Sequence, residues 1–493
     1  MPPDSSSTLA DEPRRRSNQH RPIPPDSELR PLVSFYWNLG FTCPKILDAV
    51  MAHFDRDRYG LRRCEEWGMK STRKTAADWA TIEPMFNELR QKFPNMGARS
   101  MVQNMRLVYG VKVPEALLNR AFQLVEPDQV ARRKRKRFRR KRFWAAGIMD
   151  ILTFDQHDKW KRFGLWLHVG LDPLPGRLAW LKIWWTNRNP RLITSYYIEA
   201  CRQLGGIPLI TQSDAGPENY GIANCQTVTR QELDNSLIGT LQHRWVNKKG
   251  TNVKPEIVWS LLRRYFAPGF QDILERGEYL FDLNNPLHRL LLRWLAIPWL
   301  QRELDNWLNT FNWTPRRADK HKVMPHGIPN LMLLNPEQYG THNYRIEVTP
   351  EKFDEMEAKW APPDDPVFQL VPPLFKSQVE RLQLQLGTPE VTGDNLWDVY
   401  SQLLTAFESM ALEDEFMSAM QGADDHFESS IELLEGQKDL PQGAAAASDD
   451  GEEGADSDDG LENNSDEEDG YYDPRQYAEY VDFTDDEAPY DAY

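Results

Sequence analysis

The middle of the sequence alternates short apolar runs with turn residues. Residues 148–154 (IMDILTF), 164–171 (GLWLHVGL) and 178–185 (LAWLKIWW) are apolar or alternating, which predicts three strands. Residues 190–204 read as a helix that two glycines end, and residues 207–211 (IPLIT) form a further apolar run. Three strands, a helix and a fourth strand predict a mixed α/β sheet with helices packed on it.

Three acidic residues at the ends of these predicted elements are candidates for catalysis or metal binding. Asp155 comes after the first predicted strand, Asp214 follows the run 207–211, and Glu256 lies at the start of a predicted helix beside Pro255. Ligands and metals gather at strand ends in such sheets. Carboxylates are the ligands of hard divalent ions, and two ions can drive an in-line displacement at phosphate. The residues alone favour the alternative that the three acids are surface caps and turn residues.

At these acids the sequence resembles the integrase core of DDE-type transposases and retroviral-type integrases, and the integrase core domain-containing proteins of the fungal and animal mobile-element branch. Three blocks carry the resemblance: residues 155–164 (DQHDKWKRFG), 213–219 (SDAGPEN) and 252–259 (NVKPEIVW). They are similar to the patterns D-x-x-D-K-(hydrophobic)-K-x-F-G, S/C-D-x-G-x-E-N and N-x-x-I-E-x-x-W. Pro255 departs from the third pattern, because an aliphatic residue is usual there.

The resemblance implies a ribonuclease H-like mixed five-stranded sheet flanked by helices. It assigns both catalysis and metal binding to Asp155, Asp214 and Glu256, with two Mg²⁺ or Mn²⁺ ions as cofactors. From Asp214 to Glu256 there are 41 intervening residues, a longer interval than is usual in the family. Glu232 is the nearest rival, but it leaves only 17, too few for the intervening strand and helix.

Some neighbouring residues are predicted to have structural roles. His157 is expected to be a hydrogen-bonding neighbour rather than a metal ligand, because hard metals prefer oxygen. Asp172 is expected to be a turn residue at the end of the second strand. The tryptophans of residues 294–313 are expected to pack rather than to stack on bases, because leucines are interspersed among them.

The region before the core reads as short helices. They are predicted at residues 44–54, 58–66, 78–92, 97–109 and 114–125. Two consecutive helical units with a basic second helix suggest helix-turn-helix DNA binding, but the spacing alone favours an ordinary helical bundle with solvated arginines. The resemblance, which spans about residues 33 to 340, favours the tandem helix-turn-helix interpretation.

A run of ten basic residues in eleven (RRKRKRFRRKR) occupies residues 132–142. Charge this dense cannot pack, so the run is extended or folds on a polyanion. DNA contact and nuclear import are equally compatible with it. The predicted DNA-binding residues are this run together with two arginines of the helix that carries Glu256: Arg132, Arg133, Lys134, Arg135, Lys136, Arg137, Arg139, Arg140, Lys141, Arg142, Arg263 and Arg264.

The net charge of −15 is the sum of two unlike parts. Residues 449–493 contain 19 acidic residues and one basic residue, a net −18, so residues 1–448 carry +3. Low complexity and high charge predict a disordered tail. Such a tail suits histone or chromatin contact, or competition with DNA for the basic run.

The predicted organisation has six parts. They are a disordered leader (1–28), a tandem helix-turn-helix-like DNA-binding region (29–128), a basic linker (129–146), the integrase catalytic core (147–345), an accessory region (346–410) and an acidic disordered tail (411–493). Four widely spaced cysteines form neither a disulfide framework nor a zinc knuckle. No apolar run reaches the ~18 residues of a membrane helix. We therefore expect an intracellular protein with no membrane partner, and the basic run together with the family resemblance predicts a nuclear location.

The leading hypothesis is a DDE-type integrase or transposase that nicks and joins DNA, acting as a homo-oligomer on paired DNA ends. A second hypothesis is a domesticated, catalytically silent protein that binds DNA or chromatin. A third is a ribonuclease H-like nuclease acting on RNA–DNA hybrids, because the same fold and metals would serve it.

Overall fold

The structure, a computed structural model, describes residues 25–38, 41, 46, 49–50, 53–54, 78–128, 130, 144–246, 252–316, 324–410 and 414–437. The predicted leader up to residue 24, the predicted helix 58–66, the basic run 132–142 and the acidic tail from residue 438 lie outside the described residues. Contacts divide the chain into two units, residues 1–78 with 105–114, and residues 79–104 with 115–493.

A mixed five-stranded sheet is the centre of the second unit. Five of the strands in the described residues belong to this sheet and two, β4 and β7, do not. They are β1 (Ile151–His157), β2 (Trp166–Asp172), β3 (Arg177–Trp184), β4 (Gly206–Ile207), β5 (Ile210–Asp214), β6 (His243–Val246) and β7 (Ile346–Glu347). The sheet order is β3-β2-β1-β5-β6, while β4 and β7 pair separately. β1, β2 and β3 are antiparallel neighbours, and β5 lies parallel to both β1 and β6. The predicted mixed five-stranded α/β fold is confirmed.

Two strand boundaries differ from the sequence prediction. β1 begins at Ile151 rather than Ile148, because Met149 adopts a positive φ of 57° and Ile148 bridges to Asn343 instead. Asp155 therefore lies inside β1 and not after it. The run 207–211 is divided between β4 and β5 around Pro208, which has no N–H to donate to a ladder.

Fourteen α-helices have both ends within the described residues. They are α1 (Asp26–Asn38), α2 (Trp79–Lys92), α3 (Ala98–Tyr109), α4 (Glu115–Val125), α5 (Pro190–Leu204), α6 (Tyr220–Leu233), α7 (Val253–Tyr265), α8 (Ala267–Arg276), α9 (Pro286–Trp313), α10 (Pro329–Leu334), α11 (Pro350–Trp360), α12 (Pro373–Gln385), α13 (Leu396–Glu408) and α14 (Asp414–Gln421). None of these helices has both the length and the apolar character needed to cross a membrane.

Local signals fix the predicted helix between the third and fourth strands. The Asn189 side chain accepts from the N–H of Arg191, and Pro190 occupies the first position, where its missing N–H costs nothing. Gly205 ends the helix with a φ of 68°, in the left-handed region that glycine tolerates. α5 therefore has the bounds that the sequence predicts.

The long helix α9 covers the outer edge of β3. Asn312 accepts from the N–H of Leu178 and donates to its carbonyl, both at 2.9 Å. Gln301 accepts from the N–H of Ile183 and donates to the carbonyl of Leu181, both at 3.0 Å. These amides satisfy an edge strand that would otherwise offer its backbone to another chain. Trp299 and Trp307 of α9 are buried, which confirms the predicted packing role for these two.

In the first unit, α1 buries Leu29, Val33 and Tyr36. The hydroxyl of Tyr36 is hydrogen-bonded to Nε2 of His53 at 3.0 Å. The ammonium of Lys112 lies 3.3 Å from the centroid of the Trp37 ring, which is cation–π geometry.

In the second unit, residues 79–104 pack against the core. Lys92 of α2 forms an ion pair with Glu303 of α9 at 3.1 Å. Asn104 of α3 is buried and donates to the carbonyl of Ser100 at 3.0 Å. The helices predicted at 78–92, 97–109 and 114–125 are present as α2, α3 and α4, while the helix-turn-helix assignment stays a prediction.

The predicted disordered tail from residue 411 differs from the structure over residues 414–437. These residues form α14 and then a segment, residues 422–437, that we call the C-terminal strap. Asp424 of the strap forms ion pairs with Arg289 and with the buried Arg293, whose guanidinium lies 4.9 Å from the Trp185 ring centroid. Phe427 packs edge-on against Trp166. The sequence does not predict the strap, because its partners are distant along the chain.

Removing the carboxylate of Asp424 tests whether the strap belongs to the folded core. Asp424→Ala should lower the free energy of unfolding by about 2 kcal/mol, because Arg293 is left buried and unpaired. Glu428→Ala is the matched control: Glu428 pairs with an exposed arginine, Arg188, and its loss should change stability by less than about 0.5 kcal/mol. Urea unfolding of both variants measures the difference. Equal midpoints would show that the strap contributes nothing to stability.

Candidate active site

The register between β1 and β5 brings the first two predicted acids together. Thr153 of β1 is paired with Gln212 of β5 in a parallel ladder. Two residues further on, on the same face of the sheet, the same register places Asp155 level with Asp214, the last residue of β5. The parallel pairing of these two strands is therefore what juxtaposes the two aspartates.

The third predicted acid is on helix α7, which packs against β1. Glu256 lies in the first turn of that helix. The charges of both Asp214 and Glu256 act to raise the pKa of Asp155, so all three carboxylates share one site. The structure thus brings together the three acids that the sequence singles out, from three separate segments of the chain.

Burial dominates the electrostatics of Asp155. Removal from water, followed by the neighbouring charge of Asp214, raises its pKa to about 8. Hydrogen bonds from the main chain at Gln156 and from Trp259 oppose this rise. Burial also raises the pKa of Asp214, against a hydrogen bond from Asn252. The site therefore holds carboxylates whose ionisation is unfavourable unless a cation joins them.

Trp259 and His157 form a stacked pair beside Asp155. The indole Nε1–H of Trp259 donates to Oδ2 of Asp155 at 3.0 Å. The His157 ring lies over the Trp259 ring with centroids 4.7 Å apart and an angle of 12°. Burial, and then the charges of Arg263 and Lys159, lowers the pKa of His157 to about 3. His157 is thus a neutral stacking neighbour of the site, where the sequence predicted a hydrogen-bonding one.

Asn252 links two of the acidic segments. Its Nδ2 donates to the main-chain carbonyl of Phe154, the residue before Asp155, at 3.0 Å. Its side chain also lies near Asp214, where it acts to lower the pKa of that carboxyl. Asn252 is 1% exposed, so these contacts are made away from competing water.

The loop after Asp214 is tied to β1 by a buried carboxylate. Glu218 accepts a hydrogen bond from Nε2 of Gln156, and burial raises the pKa of Glu218. Gly216 makes room for that carboxylate, because a Cβ on Gly216 would overlap it. Asn219 donates to the main-chain carbonyl of Asp214 at 3.1 Å. The SDAGPEN block is therefore a tightly closed turn that fixes the second acid.

Of the predicted DNA-binding residues, the structure describes two. Arg263 lies close enough to His157 for its charge to lower the pKa of that ring, which places it beside the acids. The carbonyl of Arg264 accepts from Nδ2 of Asn95 at 2.8 Å, and its guanidinium lies over Tyr265. The other ten, in residues 132–142, lie outside the described residues.

Asp172 has the structural role that the sequence predicts. It is buried at the end of β2 and accepts from the N–H groups of Met149 and Leu174 at 2.8 and 3.2 Å. Burial raises the pKa of this carboxyl to about 7. Asp172 thus fixes the turn after β2.

Four side chains at the site were given no role by the sequence prediction, although all lie in the three blocks: Gln156, Glu218, Asn252 and Trp259. A usable signal exists for two of them. Asn252 and Trp259 are four residues before and three residues after Glu256, so a helix places them on the same face as that acid.

The strand order, with three antiparallel strands followed by two parallel ones and acids at the centre, defines a ribonuclease H-like domain. Residues 149–337 match the protein family described as Integrase core domain. This part of the chain is an integrase core domain, the core of a family whose members are typically polynucleotidyl transferases that bind DNA and use divalent metals. No curated protein matches the chain.

The chemistry of the donors fits the metals that this family uses. Three carboxylates supply the oxygen ligands that Mg²⁺ and Mn²⁺ prefer, and their mutual repulsion at Asp155 is what a divalent cation would relieve. As the side chains lie, no group of three Asp, Glu, His or Cys residues in the described part of the chain is arranged to hold an ion. Asp155, Asp214 and Glu256 are the residues that would hold it.

Replacing Asp155 with the neutral Asn should stabilise the protein when metal is absent. The half-buried wild-type carboxyl is largely removed from water beside two other acids, whereas the amide carries no charge, so Asp155→Asn should raise the free energy of unfolding by about 1–2 kcal/mol. Chemical unfolding in a buffer with a chelator measures this. Asp272→Asn, at an exposed position of α8, should leave stability unchanged. A destabilised Asp155→Asn variant would contradict the proposed repulsion.

Proposed function

We propose that this protein is a DDE-type DNA integrase or transposase that hydrolyses phosphodiester bonds and transfers DNA strands. The observation that carries the proposal is the convergence of Asp155, Asp214 and Glu256 on one face of a ribonuclease H-like sheet. They come from a central strand, the end of its parallel neighbour and the first turn of a helix. The integrase core domain in the same residues supports the assignment.

The three acids would hold two Mg²⁺ or Mn²⁺ ions, which would activate a water or a 3′-hydroxyl and stabilise the leaving oxygen. The chain's own residues prepare the site for this chemistry. Trp259 donates a hydrogen bond to the carboxylate of Asp155, and Asn252 lies near Asp214 and donates to the main-chain carbonyl of Phe154. Arg263, beside His157, would contact a phosphate of the DNA backbone, for which a guanidinium is well suited.

The basic run 132–142 would supply the non-specific part of DNA binding. The ten positive charges that precede the core in the sequence would neutralise backbone phosphates and release counterions. The helices before it would read the DNA ends, and strand transfer at two ends would require more than one copy of the chain. A nuclear location follows from this proposal.

A second candidate function is a domesticated protein that binds DNA or chromatin without cleaving it. Two observations favour it. In the described residues the acids are not arranged to hold an ion as they lie, and residues 449–493 carry a net charge of −18, which suits contact with histones. This function predicts DNA binding with no metal-dependent cleavage of any substrate.

Nicking of DNA tests the enzymatic proposal directly. Purified protein with candidate terminal DNA and Mg²⁺ or Mn²⁺ should produce nicks, and Asp214→Asn should reduce the rate at least ~100-fold, because the ion-binding carboxylate is lost. Asp272→Asn is the control and should cut at the wild-type rate. Unchanged nicking by Asp214→Asn would refute the site. Preferential cleavage of RNA–DNA hybrid over duplex would instead indicate a ribonuclease H-like nuclease.

The salt dependence of DNA binding tests the role of residues 132–142. If about six phosphates are neutralised by the run, the slope of log K against log salt should be roughly −5. Replacing the run with glycine and serine at equal length should bring the slope close to zero and weaken binding most at low salt. Fluorescence anisotropy of a labelled duplex measures both quantities. A slope that the replacement leaves unchanged would place DNA binding elsewhere.

A further inference from the structure

We infer that helix α7 positions all three acids of the site, with Asn252 and Trp259 as the positioning residues. The helix carries Glu256 itself, and Trp259 holds Asp155 by a hydrogen bond. Asn252, at the start of the helix, holds the main chain at Phe154 and lies near Asp214. The inference rests on the proposed function, because it gives these two residues a role toward the same acids.

The spacing of the three residues fits one helix face. Asn252, Glu256 and Trp259 stand at i, i+4 and i+7, so they follow one another along the side of the helix that packs against β1. Their contacts agree with that geometry. Asn252 reaches the main chain at Phe154, and Trp259 reaches the side chain of Asp155, the next residue of the same strand.

Asn252 is placed to cap its own helix but does not. It occupies the position before Val253, where an asparagine side chain ordinarily accepts from the N–H groups of the first turn. No such side-chain bond forms in α7, and the amide instead donates to Phe154 and contacts Asp214. The helix therefore lacks the stabilising hydrogen bond of an N-cap side chain, which indicates that the amide of Asn252 has a different role.

Trp259 is held in one orientation from two sides. Its ring is buried and stacked on His157, so the plane of the indole is fixed. The Nε1–H then points to a single atom, Oδ2 of Asp155, at 3.0 Å. Two other buried tryptophans donate to uncharged acceptors: Trp185 to the main-chain carbonyl of Gln369 and Trp180 to Nδ1 of His168, both at 2.9 Å. A carboxylate partner sets Trp259 apart from that ordinary packing role.

The test measures metal binding by the full chain without DNA. Thermal unfolding is followed as Mn²⁺ is added, and the wild type should gain stability with a defined midpoint concentration. Trp259→Phe keeps the stacked ring but loses the N–H donor, so its midpoint should rise about tenfold, as for other residues that orient metal ligands. Trp397→Phe is the control: it loses an N–H bond to the carbonyl of Ile273, away from the acids, and its midpoint should stay at the wild-type value.

Asn252→Ser separates positioning from simple stability. A serine at this position can cap α7, so unfolding without metal should stay close to the wild type, yet the Mn²⁺ midpoint should still rise about tenfold. Wild-type midpoints for both Trp259→Phe and Asn252→Ser would overturn the inference, and so would a wild type that gains no stability from Mn²⁺. If the midpoints rise as expected but no nicking occurs on any substrate, the positioning role stands and the enzymatic function fails.

Discussion

The cost of removing the Asp155 carboxylate from water beside two other acids governs this structure. Asp155 lies in the central strand with Asp214 and Glu256 close by, and removal from water is the largest cause of the rise in its pKa. Such a group is tolerated only when the surrounding structure fixes it. Each acid is accordingly held by a different kind of contact: an indole N–H, a buried amide, and the first turn of a helix. Rigidity here is the condition for placing like charges together.

The rest of the fold supplies that rigidity through side-chain amides that bond the backbone or a buried carboxylate. Asn312 and Gln301 close the outer edge of β3, and Gln156 fastens the loop of the second acid to β1 through Glu218. Contacts of this kind fix both the register and the direction of the segments they join. The sheet is therefore braced at its edge by α9 and at its centre by the loop that carries Asp214.

Local sequence signals were sufficient to predict α5, because its capping residues, Asn189 and Gly205, are adjacent to it in the sequence. The three acids were also predictable, because each lies within a short block. The position of Asp155 inside β1 was not, because strand ends depend on pairing with β5 and on the bend at Met149. The prediction of disorder from the acidic composition was wrong for the strap. Asp424 of the strap has a buried ion-pair partner, Arg293, which is distant in the sequence.

The strap has a consequence for how the chain folds during synthesis. Arg293 and Trp185 are made more than a hundred residues before the segment that covers them. On the ribosome the core can form its sheet early. The guanidinium of Arg293 and one face of the Trp185 indole then stay uncovered until residue 437 has emerged. That interval is when an unfinished core is most exposed to aggregation and to chaperones. The part of the core that is translated last is thus the one that closes it.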